Sequence, residues 1–491
     1  MNQLTIKYGI ITSMVFTWVF SNNLTAAEFV VQTDLDLSGG TTTGQISPGV
    51  FTIQTLRSAV EQANDESSFP GPDIIRFDEN IETTNPGAQT TIILGLIGDQ
   101  FEFQSQTSNS ALGIDSTITI QGTLPDAPEA DIILEALSLR HFQVNPGGRL
   151  RLNDLSLKNG ETAFNSSGRG GAIVVDNGAK LEVKNSSFSF NDAINGGALA
   201  FQTGALDALI EDSSFLFNDA SDDNTGTTDL GLGGAIFADS GIHKITIKNS
   251  VFSLNVADAH GGAIYTNQPL DLISSTFRSN ATSLDGGVMY VDSQGATTVS
   301  NTLFISNDAL MRGGAIFANS QDIRSNVIYN STLSKNDAGS QRFQLFNSGN
   351  QSAGGGIYSS IDNNLLIHNS IIADNLDRDS DMDDDISANI DEDSSYNLIG
   401  VGGPSLIGVI NQNNGNLIGT LSEPIDPRLS FNELLQVDGL KSDSPAINSG
   451  SDVQVATAGL DIDINGNDRI IGAAVDRGAF ETDVFFYNGF E

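Results

Sequence analysis

Between residues 170 and 375 the chain repeats two landmarks in fixed order, and no other feature limits its fold so tightly. The first is Gly-Gly followed by small and apolar residues: Gly170-Gly171-Ala172-Ile173, Gly196-Gly197-Ala198-Leu199, Gly233-Gly234-Ala235-Ile236, Gly261-Gly262-Ala263-Ile264, Gly286-Gly287-Val288-Met289, Gly313-Gly314-Ala315-Ile316 and Gly354-Gly355-Gly356-Ile357. The second follows 16 to 20 residues after each start and is an apolar residue with Asn three places on: Phe188/Asn191, Phe215/Asn218, Phe252/Asn255, Phe277/Asn280, Phe304/Asn307, Leu333/Asn336 and Ile372/Asn375. Successive Gly-Gly starts lie 26, 37, 28, 25, 27 and 41 residues apart, so the unit is about 26 residues long and two units carry insertions.

Within a unit the pattern reads as short strands split by turns. Ala172 to Asp176 is followed by a turn at Asn177-Gly178, then by Lys180 to Lys184 with Leu181 and Val183 on one face, then by Ser187 to Phe190. No unit has the 3.6-residue apolar stripe of a helical repeat. The predicted fold is all-β, a single-stranded parallel β-helix with one unit per coil and coils stacked at the ~4.8 Å strand spacing. Phe188, Phe215, Phe252, Phe277, Phe304, Leu333 and Ile372 then share one interior column. Full burial of one such side chain contributes roughly 1.5 to 3 kcal/mol. Two places on, Phe190, Phe217, Leu254, Ser279, Ser306, Lys335 and Asp374 are expected at the core margin. The Asn column, and the earlier one of Asn185, Asp212, Asn249, Ser274, Asn301, Asn330 and Asn369, are expected at turns bonded between coils or closed as Asx turns. Gly-Gly is expected to supply positive φ and close backbone approach at a corner.

The 22 Lys and Arg against 61 Asp and Glu give a net charge of −39, which argues against nucleic-acid binding because phosphate recognition needs clustered cations. The absence of cysteine excludes disulfides and thiolate metal sites. Residues 1–27 read as a secretory signal, with Lys7 as the only charge, an apolar run from Tyr8 to Phe20 and small residues at Leu24-Thr25-Ala26-Ala27. No later segment is apolar for the length of a membrane-spanning helix. The organisation expected is an N-terminal cap over 28–110 with a short helix near 55–64, β-helix coils over 111–375, an acidic loop and C-terminal capping module over 376–481, and a tail over 482–491. A monomer is expected.

The Gly-Gly-Ala-Ile and Phe-x-x-Asn landmarks resemble the repeats of polymorphic outer-membrane proteins, which implies a right-handed, pectate-lyase-like β-helix at a bacterial surface. Upstream, Thr55-Leu56-Arg57-Ser58-Ala59-Val60-Glu61-Gln62-Ala63-Asn64 with Asp73-Ile74-Ile75-Arg76-Phe77 is similar to the CSLREA-type segment of exported β-helix proteins, although Gln54 and Ser58 stand where Cys and Glu are usual. Leu56, Ala59, Val60 and Ala63 form a 3.6-residue stripe suited to a helix that caps the solenoid. Downstream, Tyr396-Asn397-Leu398-Ile399-Gly400, Ser444-Pro445-Ala446-Ile447-Asn448, Asp463/Gly466/Arg469 and Asp476-Arg477-Gly478-Ala479-Phe480-Glu481 are similar to the choice-of-anchor Q domain. That resemblance implies export with a C-terminal sorting tail and no catalytic activity.

Asp461, Asp463 and Asn465 begin an alternating oxygen-ligand pattern with Gly466 at the sixth place, the opening of a calcium loop, but Gly472 stands where the bidentate Glu belongs. The same residues suit a structural turn with Asp463, Asp476 or Glu481 beside Arg469. Calcium is the one cofactor this sequence suggests. The run Asp377 to Asp385 reads as a solvated acidic loop. For catalysis, Asp192, Asp219, Asp258, Asp285, Asp308 and Asp337 follow the repeat where an active site would break it, Lys335 and Arg312 stand isolated, and His141, His243, His260 and His368 lack metal spacing. The insertions at 219–232 and 337–353 leave one corner in coils four apart, with roots about 19 Å apart at ~4.8 Å per coil. They are either neutral insertions or a ridge that contacts glycan or protein. The reading is an exported, secreted or cell-surface β-solenoid with a structural or adhesive role toward an extracellular glycan or surface protein. The alternative is a polysaccharide lyase or glycoside hydrolase on the same scaffold.

Overall fold

A computed structural model describes residues 26–36, 42, 44–82, 90–95, 110–122, 132–162, 168–221, 231–241, 244–292, 296–319, 326–339, 353–359, 365–378, 384–432 and 437–482. The expected signal segment up to residue 25, the interiors of both insertions, the middle of the acidic run, His243 and the tail from 483 lie outside them.

One coil shows how the repeat folds. Ile173–Val175 enters sheet C, Lys180–Lys184 crosses to sheet A, Ser187–Ser189 to sheet B and Asp192–Ala193 to sheet D, before Leu199–Phe201 returns to sheet C one rung on. Every pairing between successive coils is parallel and in register; Phe188 lies opposite Phe215, Phe215 opposite Phe252, and so on to Leu333 opposite Ile372. Sheets A, B, C and D hold 13, 12, 10 and 7 strands, so the architecture is a parallel β-helix. Alternation places Leu181 and Val183 inside. The inner Phe rings of successive coils stack at 4.5 to 5.2 Å with planes within 16°.

Three kinds of corner make the repeat work. Between sheets A and B a single left-handed residue turns the chain, from Asn185 at φ 47° to Asn369 at φ 51°. The FxxN asparagines form a buried ladder in which each Nδ2 donates to the Oδ1 of the next coil's Asn, from Asn191 to Asn375, at 2.8 to 3.0 Å. Each also caps a carbonyl of the preceding coil, as Asn255 Nδ2 does at Phe215 O. The ladder ends on Asp385, whose Oδ1 accepts from Asn375 N and Nδ2 and whose Oδ2 accepts from Val401 N. At the Gly-Gly corner the first glycine takes φ +70° at Gly261, and a Cβ on Gly262 would sit 2.2 Å from Gly287 O. The column Phe190, Phe217 and Leu254 is not at the core margin. These residues are 56%, 47% and 38% exposed, because each sits at positive φ, which turns the chain and breaks the alternation that would keep places i and i+2 on one face.

The helix α1 (Leu56–Ala63), N-capped by Thr55, packs Leu56, Ala59, Val60 and Ala63 into the N-terminal end of the core. The C-terminal segment folds back along the side of the late coils. Leu429, Leu440, Ala446 and Phe480 cover Leu303, Ile305, Ile371, Ala373 and Leu398 on sheet B. Asn369 grips the backbone of Ser451 in both directions, just before the short helix α2 (Asp452–Ala458), and Arg477 donates to Asn397 O and Gly415 O.

Candidate functional site

The outward face of sheet C departs most from a plain solenoid. In the seven Gly-Gly coils the sheet C strand has three residues, so its middle residue points out, and in successive coils these are Val174, Ala200, Phe237, Tyr265, Tyr290, Phe317 and Tyr358. The last five form a second aromatic stack, on the outside, with centroids 4.8 to 5.5 Å apart and planes within 16°.

Two polar columns flank this stack. On one side, the residue before each Gly-Gly is joined coil to coil by bridges from Arg169 through Asn195, Leu232 and His260 to Asp285, and from Arg312 to Ala353. Arg312 forms two bonds of 3.0 Å to Asp285, and its guanidinium lies 4.7 Å from the Phe317 ring centre and 5.0 Å from that of Tyr358. His260 packs on Tyr290 at 4.4 Å, with Nδ1 3.7 Å from Asp285 Oδ2. At the other end Arg169 lies 4.8 Å from the Phe237 ring centre and donates to Gln202 and Asp239. On the far side Tyr265 donates to Asp292 at 2.9 Å, and Asn319 donates to the Tyr290 hydroxyl at 3.4 Å. Burial, reinforced by Asp292, pushes the Tyr290 hydroxyl up to about 12 and Tyr265 higher still, so both stay protonated donors.

Four of the acids singled out from sequence, Asp192, Asp219, Asp308 and Asp337, begin sheet D strands and belong to the repeat. Asp285 does not: it sits in the column before Gly-Gly, buried against Arg312. Arg312 is therefore not isolated, and neither is Lys335, whose Nζ lies 3.6 Å from the centre of the Phe431 ring. His141 is buried against Leu134 O, and burial lowers its pKa to about 4. His368 contacts the Ser395 hydroxyl. The inward alternation of the strands does not announce the outer stack. Its signal is the fifth place of the Gly-Gly motif, which changes from Val and Ala to Phe and Tyr along the chain.

The residues singled out for calcium form a turn. Asp463 is buried, its Oδ1 accepts from Asn465 N and Asn467 N, and its Oδ2 accepts from Asn467 Nδ2 and Glu481 N. Asp461 and Asn465 are exposed on the same turn. A cation at Asp463 would compete with four N–H donors that already compensate its charge. Arg469, buried nearby, donates to Gly478 O; Asp476 and Glu481 are pushed up to about 6 and 8 by burial, which Arg469 partly offsets. Among the described residues no group of three or more acidic or histidine side chains is arranged to hold a metal ion.

Among the described residues no helix is long and apolar enough to cross a membrane. No curated protein matches the chain. Residues 249–267 match the Chlamydia polymorphic membrane protein repeat. The match covers the sheet B, D and C strands of one coil, from the corner at Asn249 through Phe252 and Asn255 to the outward Tyr265, and it contains His260. Residues 249–267 are thus similar to a polymorphic membrane protein repeat, and here that segment forms part of a parallel β-helix.

Proposed function

We propose that the protein is exported and acts at the cell surface, or after release from it, as a structural and adhesive β-helix, with the outward face of sheet C as its binding surface. The observation that carries this reading is the aromatic and charged face of sheet C, which includes Tyr265 of the segment 249–267 that matches the polymorphic membrane protein repeat. The name of that repeat supports a surface or outer-membrane location. The likeness of residues 55–77 to a CSLREA-type segment, and of the C-terminal module to a choice-of-anchor Q domain, agrees with export and with sorting through residues 482–491. The partner is an extracellular glycan or surface protein, and the protein works as a monomer without catalysis.

Two measurements test this. Protease added to intact producing cells should digest the protein, or the protein should be in the medium. Purified protein on a panel of glycans and surface proteins should be retained without releasing cleaved product. Confinement to the cytoplasm, or cleavage of a panel glycan, would refute the reading.

A further inference from the structure

On the premise that the sheet C face is a binding surface, we propose that its ligand is a neutral, linear polysaccharide lying along the solenoid axis. Three observations lead there. The first is what the outer stack leaves free. Phe237, Tyr265, Tyr290, Phe317 and Tyr358 spend their faces on one another, with planes 9° to 16° apart, and the two phenylalanines are almost fully buried. Among the described residues Tyr265, Tyr290 and Phe317 each have a ring on both faces, so an apolar anchor from a partner protein would find no open face on them of the kind that hot-spot burial requires. The half-buried tyrosines and the side chains beside them remain accessible.

The second observation is the chemistry of those side chains. Arg169, Arg312 and His260 keep 29%, 33% and 25% of their side-chain surface, Asp239 keeps 28%, and Asp292 and Asn319 line the other side. Both donors and acceptors flank the stack, and each arginine is already neutralised by an aspartate. Among the described residues no unpaired cation cluster on this face awaits an anion, and a chain of net charge −39 repels a polyanion at long range. A polyhydroxyl ligand without charge fits both conditions, since each hydroxyl is donor and acceptor at once.

The third is periodicity. The face repeats once per coil, at the step set by strand pairing, over the five rungs from Phe237 to Tyr358. The hydroxyl-bearing rings Tyr265, Tyr290 and Tyr358 and the polar side chains beside them are spread over several of those rungs, so a linear polymer lying along the axis reaches many weak sites at once, and these add through effective concentration.

The test is co-sedimentation of the full protein with insoluble cellulose, chitin and starch, with heparin and polygalacturonate beads as anionic comparators, at low and high salt. The wild type should be retained on at least one neutral polymer with little dependence on salt. Tyr265→Phe with Tyr290→Phe keeps both rings and removes both hydroxyls, and should weaken retention about tenfold or more, from roughly a few-fold per lost hydrogen bond. Arg312→Gln should weaken it similarly, while Phe217→Ser on the sheet B to sheet D corner should leave it unchanged. Melting and far-UV spectra check that each variant is folded, and the tyrosine pair carries the test should Arg312→Gln unfold. Retention on anionic beads alone, no retention on any neutral polymer, or equal loss with Phe217→Ser would overturn the proposal. Those outcomes leave surface display standing, because cell-surface proteolysis reads that separately.

Discussion

Replacing Asn255 in the middle of the buried ladder isolates what a single rung contributes. Its amide makes four bonds: Nδ2 donates to Asn280 Oδ1 at 2.9 Å and to Phe215 O at 3.0 Å, and Oδ1 accepts from Asn218 Nδ2 at 2.9 Å and Asn218 N at 3.0 Å. Asn255→Ala removes all four and strands two donors of Asn218 where water cannot reach them. At about 1 kcal/mol net per bond the loss is about 4 kcal/mol, and more if the stranded donors stay dry. Asn255→Asp is nearly isosteric but turns the Nδ2 position into an acceptor facing Asn280 Oδ1 and Phe215 O, with a buried charge. At pH 8 it should cost more than Ala. At pH 5 its protonated oxygen can donate to one of the two acceptors, so the gap to Ala should close. Because stacked coils need not unfold as one unit, urea melts should be paired with hydrogen exchange at the Asn218 amide. The reasoning fails if Asn255→Ala costs less than about 1 kcal/mol, or if Asn255→Asp is the more stable variant at pH 8.

Three further predictions follow from the corners and the buried acids. Gly262→Ala should disrupt its coil, because the added Cβ meets Gly287 O at 2.2 Å, whereas Gly178→Ala, at φ +76° with its nearest neighbour 3.9 Å away, should cost about 1 kcal/mol; comparable melting losses would contradict this. Burial pushes Asp385 up to about 7 against an ordinary value of 3.8, so the folded state holds its proton more tightly and the stability from that proton, full below 3.8, is lost as pH rises to 7. Asp385→Asn should flatten the stability profile between pH 4 and 7, and it should be the less stable protein at pH 5 because its amide would face the Val401 donor; parallel wild-type and variant profiles would count against this. EDTA should leave the melting midpoint unchanged, while Asp463→Ala should lower it, because the carboxylate closes a turn through backbone N–H groups; a midpoint that rises with added calcium would reverse that assignment.

The parallel β-helix, the inner Phe column and the Gly-Gly corner were legible because each depends on residue identity at a fixed place in a unit repeated seven times. What escaped notice depends on geometry between units. Asp285 and Arg312 are 27 residues apart and become neighbours only through coil register. Phe190 looked like a partner of Phe188, yet its φ of 56° turns it to solvent. The docking of the C-terminal segment rests on contacts such as Asn369 with Ser451, 82 residues away, which no local pattern announces. The Asp461 to Asn467 pattern suits a calcium loop or a structural turn from spacing alone, and the hydrogen bonds that Asp463 accepts are visible only in space.

That fold-back sets an order of events. Upstream coils present Ser187, Ser189, Ser214 and Thr276 on sheet B and can stack as they are made, whereas Leu303, Ile305, Ile371 and Ala373 stay bare until Phe480 arrives. A chain folding from its N-terminus would therefore carry a sticky, half-finished flank until residues 429–480 docked on it. Residues 429–480 would act as a built-in cover, sealing that flank only once they have docked.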